Sequence, residues 1–119
     1  MKSLYLEKGL LYTEMSIIYN GQTLTLRRVL VNTTSLKSGI SVKLAKDIGL
    51  ISSECNTFSF PMERKLDYVS VGPLKVKDFK VEIDDYRKEV DGVIGLDFLK
   101  KVGAKINLDS MTLSGSRVS

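Results

Sequence analysis

The chain has no histidine, and its 119 residues include only one cysteine, Cys55. Without histidine there can be no Ser-His or Cys-His nucleophile pair and no His-based zinc site. A lone cysteine can form neither an intramolecular disulfide nor a CxxC metal site, so the sequence implies no metal and no cofactor. It also makes a reducing, cytoplasmic setting the expectation. No apolar run approaches the roughly 20 residues needed to cross a bilayer. The opening stretch, MKSLYLEKGLLYTE, scatters charge where a secretory signal would need a continuous apolar segment.

Lys and Arg number 18 against 14 Asp and Glu, a net charge of +4. These cations are dispersed, as at Arg27-Arg28, Lys75 to Lys77, Arg87-Lys88 and Lys100-Lys101, and no aromatic-basic motif resembles a single-strand stacking platform. Solvated faces account for them, and neither nucleic acid nor membrane is an expected partner. At 43% hydrophobic and 27% charged, the composition is that of one globular domain over residues 1–119. Its core is expected over about 11–113, with a frayed tail at 114–119.

The strongest local signals are strands. Thr13 to Tyr19 alternates, Asn20-Gly21 supplies a two-residue type I′ turn, and Gln22 to Val31 forms the second strand. Val29-Leu30-Val31 loses the alternation and reads as buried on both faces. Ser41 is placed as an N-cap, Val42, Leu44, Ala45 and Ile48 form an apolar helical stripe, and Gly49 sits at the C-cap. Residues 51–65 read as an irregular connection or exposed hairpin. Strands follow at Leu66 to Val71 and Lys75 to Ile83, joined by Gly72-Pro73, and the charged stretch Asp84 to Glu89 is expected to be exposed. Val90 to Gly95 reads as a buried strand, Leu96 to Val102 as a short helix stopped by Gly103, and Ala104 to Leu108 and Met111 to Leu113 as closing strands. The unit of buried strand, special turn, short helix and glycine stop therefore occurs twice, over 29–49 and 90–103. The architecture expected is mainly all-β, a small closed sheet with two short helices.

Two stretches carry a family resemblance: VLVNTTS followed by IS and LAKDIGL, and VDGVIGLDFLKKVGAKINL. In order and spacing they resemble the retropepsin-like aspartic proteases, especially the small bacterial ones. That family reads apolar strand, Asp-Thr-Gly-Ala/Ser and an apolar-Ser step into a helix, then apolar-apolar-Gly and a helix opening Leu/Met-Asp-Phe-Leu. The resemblance covers roughly Leu11 to Leu113, and DGVIGLDFL is its more specific part. It implies an acid-protease closed β-barrel in which each chain supplies half of an active site. Two chains pair, usually with interleaved terminal strands, and a β-hairpin flap closes over an extended peptide. By the same resemblance, Asn32, Thr33 and Thr34 occupy the catalytic motif. Ser35, Phe58, Phe60, Val93, Ile94 and Gly95 would touch substrate.

The departures from the family pattern bear directly on chemistry. Aspartic proteolysis needs two carboxylates sharing one proton, one member activating water and the other protonating the carbonyl oxygen. Asn32 stands where the family has Asp, and an amide neither takes nor carries that proton. Thr33 keeps the family's threonine, but Thr34 replaces the glycine that allows close backbone approach. Residues 51–65, in the flap position, contain no glycine. The expected function is therefore that of a homodimeric pseudoprotease, a peptide-binding or structural module. The alternative is an aspartic endopeptidase seen as an inactivated or diverged chain.

The remaining residues that could carry chemistry have plainer readings. Asn32-Thr33-Thr34 matches an N-glycosylation pattern, but it lies at the end of a buried strand in a chain with no expected secretory signal. Asp91 and Asp97 are expected to be structural, the latter by its place in a helix's first turn. Cys55 reads as a small apolar filler, and Lys100-Lys101 suits a helix end.

Overall fold

The computed structural model describes residues 1–52, 61–86 and 89–116. The strands are β1 (Lys2–Ser3), β2 (Tyr5–Glu7), β3 (Leu10–Tyr19), β4 (Gln22–Val31), β5 (Gly39–Ser41), β6 (Met62–Val71), β7 (Leu74–Asp84), β8 (Gly92–Ile94), β9 (Ala104–Asn107) and β10 (Thr112–Gly115). Two six-residue helices, α1 (Val42–Asp47) and α2 (Leu96–Lys101), follow β5 and β8. The fold is thus mostly β, as the alternation of the sequence implies.

The β3–β4 hairpin sets the frame. Asn20 and Gly21 have φ of 52° and 81°, the left-handed pair that a two-residue turn requires, and Tyr19 pairs with Gln22 across it. Further along, the register shifts between Thr13 and Met15, where Arg27 and Arg28 form a bulge opposite Glu14. One carboxylate oxygen of Asp91 accepts the backbone N–H groups of both arginines, each at 3.1 Å. The bulge explains the lost alternation in VLV. Leu24 and Leu26 point inward before it, and Val29 and Val31 point inward after it. Leu30 faces the other way, onto a second cluster of Tyr12, Val90 and Val93. The run is therefore buried on two faces because it touches two separate apolar clusters.

Strand order β3-β4-β8-β5-β7-β6 closes on itself through β3–β6 pairing, giving a six-stranded barrel with β2 added beside β3. Short β8 is the topological centre. It runs parallel to β4, with Leu30 opposite Val93 and Val31 opposite Ile94, and antiparallel to β5 on its other side. The chain leaving β4 must therefore pass the end of β8 to reach β5. Met15, Ile17, Leu26, Ile83 and Ile94 are 1% exposed or less inside the barrel, and Phe79 meets Phe98 of α2 edge-to-face at 5.7 Å.

A second sheet, in the order β1-β10-β9, covers one end through fully buried Leu113 and nearly buried Leu4. The core accordingly begins at Leu4, ahead of the expected start near residue 11, and β10 continues to Gly115, into the expected tail. β1 pairs with β10 of the same chain, Lys2 opposite Leu113, so these two terminal strands are joined within one molecule. α1 is capped as expected, the Ser41 hydroxyl accepting the Leu44 N–H at 3.4 Å and Gly49 taking φ of 83°. β6 starts at Met62, so the last part of the expected irregular connection is strand.

Candidate functional site

The loop that carries the chain from β4 over β8 to β5 spans residues 32–38, and its conformation follows from its hydrogen bonds. Asn32 extends the β4–β8 ladder by one step, its N–H donating to the Ile94 carbonyl at 2.9 Å. The Ser35 N–H then returns to the Asn32 carbonyl at 3.2 Å, closing a turn with Thr33 and Thr34 at its tip. The Asn32 side-chain oxygen accepts the Thr34 N–H at 3.0 Å and the Thr34 hydroxyl at 2.5 Å. This local bonding is characteristic of asparagine in turns. Asn32 is half-buried, and Thr33 and Thr34 are exposed.

The loop is tied to the start of α2. Leu96 and Asp97 donate their N–H groups to the Ser35 and Leu36 carbonyls at 2.8 and 3.2 Å. The Asp97 carboxylate accepts the Ser38 N–H at 2.9 and 3.0 Å and the Ser38 hydroxyl at 2.6 Å. That hydroxyl oxygen in turn accepts the Gly95 N–H at 2.9 Å. A Cβ on Gly95 would lie 2.7 Å from the Lys37 carbonyl oxygen and 2.8 Å from that of Ser35, so this position excludes a side chain. Gly39, the next residue in the path, is similarly closed, because a Cβ there would meet the Tyr86 hydroxyl at 2.0 Å.

One groove reaches the loop, and a second apolar cluster involves the strands that lead to it. The groove is open, about 320 Å³, and lined by Thr33, Leu96, Leu99, Ala104 and Ile106 with Lys100 and Gly103. The second apolar cluster, Tyr12, Val90 and Val93 with Leu10, Leu30 and Tyr86 packed against it, draws on β4 and β8, where Leu30 pairs with Val93. Arg28 lies over the Tyr12 ring at 4.6 Å and is held by Glu7 at 2.8 Å and by the Glu89 carbonyl, also at 2.8 Å. The hydrogen bond from Arg28 holds the Glu7 carboxyl below its ordinary range. Burial, reinforced by Asp84, Glu82 and Asp97, raises the Tyr86 phenol to about 12.

The structure brings together only part of the residue set expected from sequence. Asn32, Thr33, Thr34 and Ser35 share the turn, although the Ser35 hydroxyl is turned back onto the Lys37 carbonyl at 2.8 Å. Val93 belongs to the second cluster, paired with Leu30 two residues before Asn32. Ile94, by contrast, is fully buried in the barrel core, and Gly95 is packed under the loop, so both support the turn from beneath and neither presents a side chain to a ligand. Phe58 and Phe60, with Cys55, lie outside the described residues. Asp91 clamps the bulge and Asp97 anchors Ser38, partnerships across the chain that their sequence positions did not show. Asp84 to Glu89 is not uniformly exposed, since Tyr86 packs inward. Sequence reading missed Ser38, whose partner is 59 residues away, and Tyr12 and Tyr86, which meet only in the folded second cluster. Among the described residues no group of three His, Cys, Asp or Glu side chains is placed to hold a metal. No helix among them is long and apolar enough to cross a membrane.

No protein-family model and no curated protein matches the chain. Solved structures do match. A retropepsin-like aspartic protease from Rickettsia conorii superposes with a TM-score of 0.67 at 16% identity, over 92% of this chain and 84% of that one. The retroviral protease-like domain of Ddi1 from Leishmania major gives a TM-score of 0.65 at 18% identity, over 96% of this chain and 90% of that one. The fold is retropepsin-like, a closed β-barrel with two short helices.

Two predictions follow from the anchoring of the loop. Asp97→Ala strands the buried Ser38 N–H and hydroxyl, each unsatisfied group costing about 1–3 kcal/mol. Urea unfolding should show that loss, and an unchanged midpoint would mean the anchor does not hold the loop. The second concerns alkali. The folded pKa of Tyr86, about 12, lies above the ordinary 10.0, so the phenol ionises first in the unfolded chain. Its contribution is complete below pH ~10 and is lost as pH rises toward ~12. The melting temperature should fall over that window, and less steeply in Tyr86→Phe; identical slopes would remove Tyr86 as the source.

Proposed function

We propose that this chain is a retropepsin-like domain without proteolytic activity, acting as a cytoplasmic homodimer that binds extended peptide or serves a structural role. The observation that carries this reading is Asn32 at the tip of β4, its side-chain oxygen occupied by both donors of Thr34. In the catalytic arrangement that the fold suggests, this position supplies an acid, and two chains bring two acids together. A pair of asparagines has no shared proton, no base for water and no acid for the carbonyl oxygen. Removing a general acid–base residue alone lowers a rate by about 10²- to 10⁴-fold, and here both members of the pair are removed at once. The nearby carboxylates do not substitute, because Asp91 is engaged with Arg27 and Arg28 and Asp97 with Ser38.

Peptide binding is supported by what remains. Leu30 and Val93 face the second apolar cluster beside the turn, a surface suited to alternate side chains of an extended chain. Dimerisation is supported by β9, whose outer edge has no strand beside it among the described residues, next to the apolar groove containing Thr33, Leu99 and Ile106. An open edge is a ready template for a second strand. A partner seated there would bring its own Thr33 turn alongside the first. The runner-up reading, an aspartic endopeptidase working as a homodimer, draws on the fold shared with the Rickettsia conorii protease.

A digest of a peptide library at acidic and neutral pH separates the two. The unmodified chain should give no pepstatin-sensitive cleavage, and cleavage would overturn the inactive reading. Asn32→Asp alone should remain far less active than Asn32→Asp combined with Thr34→Gly, because Thr34 holds the turn closed on itself. Light scattering tests assembly: a dimer at micromolar concentration, converted to a folded monomer by Ile106→Glu. A wild-type chain that stays monomeric would remove the shared cleft.

A further inference from the structure

Hydrogen-bond polarity at the tip of β4 identifies the kind of group this turn can receive. A backbone N–H can only donate, so the Asn32 side-chain atom 3.0 Å from the Thr34 N–H is the oxygen, and the amide nitrogen points the other way. That oxygen also accepts the Thr34 hydroxyl, the Asn32 carbonyl accepts from Ser35, and the Asn32 N–H is spent on Ile94. The Asn32 side-chain NH₂, by contrast, has no hydrogen-bond partner among the described residues, and nor does the exposed Thr33 hydroxyl beside it. The half-buried tip therefore presents donors.

An aspartate at this position would present an acceptor in place of that NH₂, so Asn32 reverses the polarity of the site as well as removing its acid. Donors of this kind favour an acceptor, and an ionised one most of all, since charge-assisted hydrogen bonds are roughly twice as strong as neutral ones. The planar NH₂ suits a carboxylate oxygen, and the chain carries a net +4 charge. We infer that the Asn32–Thr33 tip is a carboxylate-recognition site for a peptide, taking its C-terminal carboxylate or an Asp or Glu side chain. This rests on the peptide-binding reading above and specifies which part of the peptide meets the turn.

The test follows the Asn32 side-chain NH₂ resonances by NMR during titration with three peptides: acetyl-Val-Leu-Val with a free carboxylate, its carboxamide, and acetyl-Val-Asp-Val carboxamide. One or both carboxylate peptides should shift the Asn32 signals and bind at least about fivefold more tightly than the neutral one. Which of the two does so separates a terminal from a side-chain carboxylate. Asn32→Asp should abolish that preference. Asn32→Ser, which keeps a small acceptor for the Thr34 N–H but deletes the NH₂, should weaken it and covers the case in which the aspartate does not fold. Equal binding of all three peptides would overturn the inference. Shifts at Leu30 and Val93 without any at Asn32 would also overturn it while leaving peptide binding intact. No shift anywhere at millimolar peptide would remove both.

Discussion

The geometry at the tip of β4 depends on one carboxylate. Threading β8 between β4 and β5 forces the connection 32–38 to leave the sheet and cross the end of another strand, where no ladder can satisfy its backbone. Asp97 resolves this from the first turn of α2. It accepts the N–H and hydroxyl of Ser38, and the same hydroxyl takes the Gly95 N–H. Ser38 is 1% exposed, so these bonds have no water to replace them. The absent side chain of Gly95 lets the Ser35 and Lys37 carbonyls come close enough to complete the knot. Loop, strand end and helix start thus form a single polar unit on top of an apolar barrel.

That unit does not depend on the side chain at the tip. None of its members is Asn32. The N–H of residue 32 continues the ladder to Ile94 whatever the side chain, so the turn's position is set by backbone bonds and by Asp97. The side chain at the tip is then free to change from acid to amide without loss of the scaffold. Thr34 adds to the separation, because both of its donors turn inward onto Asn32 and make the turn self-sufficient.

How much of this was legible in the sequence depends on whether the cause was local. The Asn20-Gly21 hairpin, the Ser41 cap and the Gly49 and Gly103 stops are written within a few residues of where they act, and all lie where the spacing places them. DGVIGLDFL correctly indicated a buried strand running through a glycine into a helix. What the sequence could not show was register. Val93 and Ile94 are equally apolar neighbours, and only pairing with β4 reveals that Val93 faces the second cluster and Ile94 the core. The bulge at Arg27-Arg28 was hidden for the same reason, since the carboxylate that satisfies it comes from Asp91, more than sixty residues away. Tyr86 was obscured by its charged neighbours, although its ring belongs with Tyr12 and Val90.

The two apolar clusters differ in how far they are closed to solvent. The barrel interior is closed and needs no partner, as the full burial of Ile17, Leu26 and Ile94 shows. The outer cluster is smaller, and three of its members, Leu10, Leu30 and Tyr86, remain partly open to solvent on the side where Asn32 ends its strand. The Thr33 groove is likewise apolar and open, beside β9, whose outer edge is unpaired among the described residues. A domain kept only for its stability would gain by closing such surfaces, since partly exposed apolar area forfeits part of its transfer free energy. Thr33 lines one of these surfaces and Leu30, two residues before Asn32, belongs to the other, and that proximity is the physical argument that the turn is a place of contact.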